Sequence, residues 1–122
     1  MKKGPLFEKQ LVEYLRAAFG DGIERRVMGG ANDRGDVAGL YWHGQPFVIE
    51  AKNVTKLQPS KWFGELEAEC GNADTDMGAI VYHRAGVGEA HMGEQGVLMT
   101  LSTLVRLLGG DTDGDVQLHA EG

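Results

Sequence analysis

Gly35-Asp36-Val37-Ala38-Gly39-Leu40-Tyr41-Trp42, then His43-Gly44-Gln45, then Pro46-Phe47-Val48-Ile49-Glu50-Ala51-Lys52 is the stretch whose reading decides the fold. Two apolar runs flank a short glycine-containing break, the pattern of a β-hairpin. With the turn at His43-Gly44-Gln45, Trp42 faces Pro46, Tyr41 pairs with Phe47, Ala38 with Glu50 and Asp36 with Lys52. A register shifted by two residues sets Asp36 opposite Glu50. Strand side chains alternate, so both registers give the same faces. Asp36, Ala38, Leu40, Glu50 and Lys52 share one; Val37, Gly39, Tyr41, Phe47, Ile49 and Ala51 share the other, more apolar one. Two carboxylates and an ammonium therefore converge where cross-strand neighbours stand about 5 Å apart. Such carboxylates repel unless a cation joins them. The alternative is a surface cluster that Lys52 alone neutralises, worth under about 1 kcal/mol.

Upstream, residues 5–19 predict a helix. Leu6, Phe7, Leu11, Val12, Tyr14, Leu15, Ala18 and Phe19 recur at three and four. Pro5 suits its first turn, and Gly20 and Gly22 end it. Glu8 falls on or beside this stripe. An inward carboxylate is costly unless it is paired or binds a cation, whereas a first-turn Glu is favoured by the helix dipole with no function at all. Glu13 reads as solvated. Ile23 to Met28 is a short strand candidate carrying Arg25 and Arg26, and Met28-Gly29-Gly30-Ala31-Asn32 reads as a flexible loop.

Downstream, Ser60 is the expected cap of a helix reaching Asn72, with Trp62, Phe63, Leu66, Ala68 and Cys70 as its apolar side. Residues 77–83 read as a buried strand, 84–95 as a glycine-rich loop or loose hairpin, and 96–100 as a last strand. Ser102 or Thr103 is expected to cap a short helix through Leu108. The order is helix, three strands, helix, two strands, helix: one mixed α/β layer domain over residues 1–108. Residues 109–122 are acidic and glycine-rich and are expected to be a disordered tail.

The chain of 122 residues carries a net charge of −6. Its charge is divided unevenly: residues 1–61 hold ten Lys/Arg and seven Asp/Glu, residues 62–122 two and eleven. The half with the hairpin is thus the half that could tolerate phosphate. One cysteine, Cys70, excludes an internal disulfide and a cysteine-cluster zinc site. No apolar run approaches a membrane span and no secretory signal opens the chain, so a cytoplasmic protein is expected, of the cell or of a phage-infected host.

Asp36 followed by Glu50-Ala51-Lys52 resembles the signature of the PD-(D/E)XK nuclease superfamily: an Asp opening one strand, then Glu-X-Lys on its partner. Lys3-Gly4, Glu8, Leu11-Val12, Leu15, Arg25-Arg26 and the glycine-rich loop are similar to the archaeal and phage-type Holliday-junction resolvases of that superfamily. The likeness covers roughly residues 2–84. Gly35 stands where the motif has Pro, and the later helix lacks the Gln of many relatives. The resemblance implies a restriction-endonuclease-like fold with a mixed central sheet and flanking helices, in the order αβββαββα. It implies a Mg²⁺-dependent structure-selective DNA endonuclease, with Mn²⁺ able to substitute, resolving four-way junctions in DNA recombination and repair as a homodimer. Glu8, Asp36, Glu50 and Lys52 would be catalytic; Glu8, Asp36, Glu50 and the Ala51 carbonyl would hold the metal. Lys2, Lys3, Arg25, Arg26, Arg34, Lys56 and Lys61 are the candidate DNA contacts. The other readings are a RecB-like or restriction-type nuclease acting on ends, flaps or duplex, and a catalytically silent DNA-binding module.

Overall fold

The computed structural model describes residues 3–26 and 31–111. Helix α1 spans Lys3–Phe19 and is followed by the short strand β1, Glu24–Arg25. The hairpin stretch gives β2 (Val37–Ala38), β3 (Tyr41–Trp42), β4 (Gln45–Pro46) and β5 (Val48–Lys52). Helix α2 (Pro59–Asn72), β6 (Gly78–Tyr82), a 3-10 helix (Glu89–Glu94), β7 (Gly96–Leu98) and α3 (Leu101–Leu107) complete it. The main sheet runs β1-β2-β5-β6-β7, with β3 and β4 paired as a separate ribbon. Among the described strands of this sheet only β5 and β6 are parallel, so the sheet is mixed. Without the ribbon, the order of helices and main-sheet strands is the expected one.

A parallel pair needs a long crossover, and α2 supplies it. Val48 and Ile80 pack with Trp62, Leu66 and Cys70 on the α2 side. Val37, Ile49, Ala79 and Val81 pack with Phe7, Leu11, Val12 and Met92 on the α1 side. The continuous apolar run of β6 follows from this two-sided cover. The α1 stripe is narrower than its periodicity suggests: Phe7, Leu11 and Val12 are buried, whereas Leu6, Tyr14 and Phe19 are exposed.

The hairpin departs from the expected turn. Tyr41 pairs with Pro46 and Trp42 with Gln45, leaving a two-residue turn at His43-Gly44. Both have positive φ, 49° and 81°, the primed geometry that suits the right-handed strand twist. At the base Val37 pairs with Ile49, which sets Asp36 opposite Glu50: the second of the two registers. Three residues separate the paired positions Val37 and Tyr41, but two separate Pro46 and Ile49, so the first strand carries one extra residue, a bulge at Gly39-Leu40. Gly39 has φ +100°, and a Cβ there would run into the Gly22 carbonyl. Gly39→Ala should therefore cost about 2–4 kcal/mol, read as a melting temperature at least ~8 °C lower. An unchanged melt would mean that the bulge relaxes freely.

Gly35 has φ +92°, with Ile49 O 2.8 Å from where a Cβ would stand. Proline, fixed near −65°, does not fit there, which accounts for its absence ahead of Asp36. Two expected caps are also corrected. Pro59 takes the first turn of α2 behind Gln58, so Ser60 lies inside the helix. Thr100, not Ser102 or Thr103, caps α3, accepting from Thr103 N–H. The loop expected at 84–95 contains the 3-10 helix. Of the tail expected at 109–122, Gly109 and Gly110 instead close α3 with N–H bonds to Arg106 O and Val105 O, while 112–122, like residues 28–30 of the Met28–Asn32 loop, lie outside the described residues. Among the described residues no helix is long and apolar enough to cross a membrane.

Candidate functional site

Asp36 is fixed by its own backbone, whose N–H donates to Ile49 O at 2.8 Å while its carbonyl accepts from Arg26 N–H at 2.8 Å. Its Oδ2 accepts from the Ala51 N–H at 2.7 Å. Across the ladder Glu50 is 7% exposed, and it belongs to the strand face that carries Val48 and turns toward α2. Two residues on, Lys52 donates to Glu65 Oε1 at 2.8 Å and stands 6.0 Å from the Trp62 ring centre.

Helix α2 meets this face with two carboxylates. Four helical residues rise about 6 Å and two strand residues about 6.7 Å. Glu65 and Glu69 therefore match Lys52 and Glu50 as the helix runs back along the strand. Glu69 is 5% exposed, and among the described residues its Oε1 has no hydrogen-bond donor. Asp33 enters from the turn ahead of Asp36. Carboxylate oxygens of Asp33, Glu50 and Glu69 lie within 4.8 Å of one another, close enough to hold one metal ion.

The electrostatics follow from this crowding. Burial, then a proton shared with Glu50 and the charge of Glu50, push Asp36 from 3.8 up to about 8, against the Ala51 N–H bond that favours its anion. Burial, then a proton shared with Glu69, push Glu50 from 4.5 up to about 8. Glu69 is raised as well, first by burial. Burial pulls Lys52 down, but its bond to Glu65 and the charges of Glu50, Glu65 and Glu69 outweigh this and leave it above its ordinary value. A divalent cation is the natural replacement for the protons that hold such a group together.

The structure thus brings Asp36, Glu50 and Lys52 together on one face, with the Ala51 amide beside them. It places Glu8 elsewhere: its Oε1 accepts from Arg25 Nε at 3.0 Å. Arg25 pairs with Val37, a residue of the α1-side core, so this ion pair lies on the opposite sheet face from Glu50. Of the candidate DNA contacts, Arg25 is engaged with Glu8. Arg26 and Arg34 line one cavity of about 150 Å³, with Arg26 Nε buried and without a partner among the described residues. Lys56 and Lys61 are exposed. Lys2 and the Lys3 side chain lie outside the described residues.

Sequence reasoning missed Asp33, Glu65 and Glu69 as members of the site. Glu69 did leave a signal. Trp62, Leu66 and Glu69 are spaced at four and three, so a carboxylate sits on the buried helix face.

Comparison with protein-family models, with curated proteins and with solved structures gave no match to this chain.

Proposed function

We propose that this protein is a Mg²⁺-dependent structure-selective DNA endonuclease that resolves four-way junctions, built on a restriction-endonuclease-like fold. The observation that carries the reading is Asp36 set opposite Glu50 with Lys52 two residues on, all on the α2 face. All the donors are hard oxygens, which fits Mg²⁺ and admits Mn²⁺. Asp36, Glu50 and the Ala51 carbonyl would hold the cation; Glu8, bonded to Arg25, is left out of this set. The bound cation would neutralise phosphate charge and make water a better nucleophile near neutral pH. Lys52, with its ammonium fixed by Glu65, would donate to the attacking water or to the phosphate oxygens as charge develops. Burial of Glu50 keeps the site's dielectric low and strengthens each of these interactions. Opposing nicks across a junction need two such sites, so the acting species would be a homodimer. Arg26, Arg34, Lys56 and Lys61 would supply sequence-blind, salt-dependent phosphate contacts.

The test is incubation of the pure protein with end-labelled four-way, flap and linear duplex DNA, with Mg²⁺ or with EDTA. Paired nicks in the junction that require Mg²⁺ are expected. Preferred cutting of flaps, ends or duplex would move the reading to a RecB-like or restriction-type nuclease. Binding without cleavage in any metal would overturn the enzyme reading in favour of a silent module. Lys52→Ala should lower turnover about 100-fold with junction affinity nearly kept. The opposite split would make Lys52 a phosphate clamp.

A further inference from the structure

Asp36 and Glu50 leave Asp33 and Glu69 unused. We infer that Asp33, Glu50 and Glu69 form a divalent-cation position of their own, with Glu50 shared between it and Asp36. The inference deepens the proposed nuclease reading and rests on it for the Asp36 position only.

The first support is geometric. Oxygens of the three side chains gather within 4.8 Å from three separate elements: the turn before Asp36, strand β5 and helix α2. The second is independent of that gathering. Glu69 is 5% exposed, and once Glu50 is ionised its Oε1 accepts from no group among the described residues. A buried carboxylate oxygen without a donor is rare in folded proteins, because burial strips its water and gives nothing back. A hard cation is the ligand such an oxygen suits.

The scaffold holds the three residues together by means other than their repulsive charges. Asn72 Nδ2, one helical turn after Glu69, donates to Asp33 O at 2.8 Å and to Ala31 O at 3.1 Å. That clamp ties the turn carrying Asp33 to the end of α2 carrying Glu69. Gly35 N–H fixes the Asp33 side chain at 2.8 Å. Charge supplies the stoichiometry. Asp33, Asp36, Glu50 and Glu69 bring four negative charges when ionised, and the cation beside them, Lys52, is already bonded to Glu65. One divalent ion leaves half of that charge in a largely buried place, whereas two neutralise it.

Mn²⁺ alone is the probe, titrated into the full chain at pH 8.5 and followed by calorimetry and by electron paramagnetic resonance of the free ion. Wild type should bind two Mn²⁺ per chain. Glu69→Gln and Asp33→Asn should each bind one. Asp36→Asn should also bind one, held by the other three residues, and Glu50→Gln should lose at least tenfold in affinity at both positions. Circular dichroism checks that each variant is folded; Asn72→Ala, which keeps every carboxylate, should weaken one Mn²⁺ and spare the other. A single Mn²⁺ in wild type, or a stoichiometry that Glu69→Gln leaves at two, would overturn the inference. Two bound Mn²⁺ with no cleavage of any DNA would instead overturn the nuclease reading and leave this site standing.

Discussion

Asp36→Asn and Glu50→Gln should each lower the proposed Mg²⁺-dependent DNA cleavage by about 1,000-fold or more, because each removes a charge from the group that would hold the cation. Neither should unfold the protein. An Asn at position 36 keeps an oxygen for the Ala51 N–H, which now donates to Asp36 at 2.7 Å, and adds an amide that can donate to Glu50. A Gln at position 50 can likewise donate to Glu69, whose carboxylate shares the Glu50 proton in the parent. Each substitution also removes a negative charge whose burial is unfavourable. Both variants should accordingly melt above wild type at pH 8.5 in EDTA, the reverse of the usual effect of a site mutation. Gel assays on labelled junctions and thermal melts read the two effects separately. Cleavage within tenfold of wild type in either variant would remove the pair from catalysis.

The second large effect is on stability against pH. Asp36 and Glu50 rise from ordinary carboxylate values to about 8 in the folded state. A carboxyl whose folded value is raised holds its proton more tightly folded than unfolded. Its contribution to stability is complete below pH ~4, the unfolded value, and is lost as pH climbs through about 8. Cation-free protein should thus melt highest near pH 5 and lose stability toward pH 8.5. The slope is up to about 1.4 kcal/mol per pH unit for each proton the folded state retains, or several degrees of melting temperature. A Mg²⁺ or Mn²⁺ ion held at the proposed site would compete with those protons, so 10 mM of either should raise the melt strongly at pH 8.5 and little at pH 5. Differential scanning calorimetry at four pH values, with and without EDTA, decides this. A cation-free melt that is flat from pH 5 to 8.5 would mean that the carboxylates are better solvated than their burial indicates.

What the sequence made legible follows from which physical rules are local. Alternation along a strand is local, so Asp36, Glu50 and Lys52 could be placed on one face before the register was known. The choice between the two registers was not local. It depends on the bulge at Gly39, which is set by the close approach of the Gly22 carbonyl, a contact between distant parts of the chain. Helical periodicity placed Glu8 beside a buried stripe. Which layer that stripe faces depends on how β5 crosses over to β6, and α1 covers the sheet face away from Glu50. Glu69 was readable from its spacing to Trp62 and Leu66, but its meaning needed the antiparallel match of α2 to β5. The Lys52–Glu65 bond has the same origin. The site is therefore half a sequence motif and half a consequence of the crossover.

The bulge has a practical consequence. The ribbon tip and the strand base keep different registers, so the turn at His43-Gly44 lies beyond the bulge from the base that carries Asp36 and Glu50. Extra residues placed between His43 and Gly44 would lengthen the tip while the base pairing of Val37 with Ile49 stays in step. That turn is the place to insert an affinity tag or a fluorescent reporter into this chain without disturbing its carboxylates.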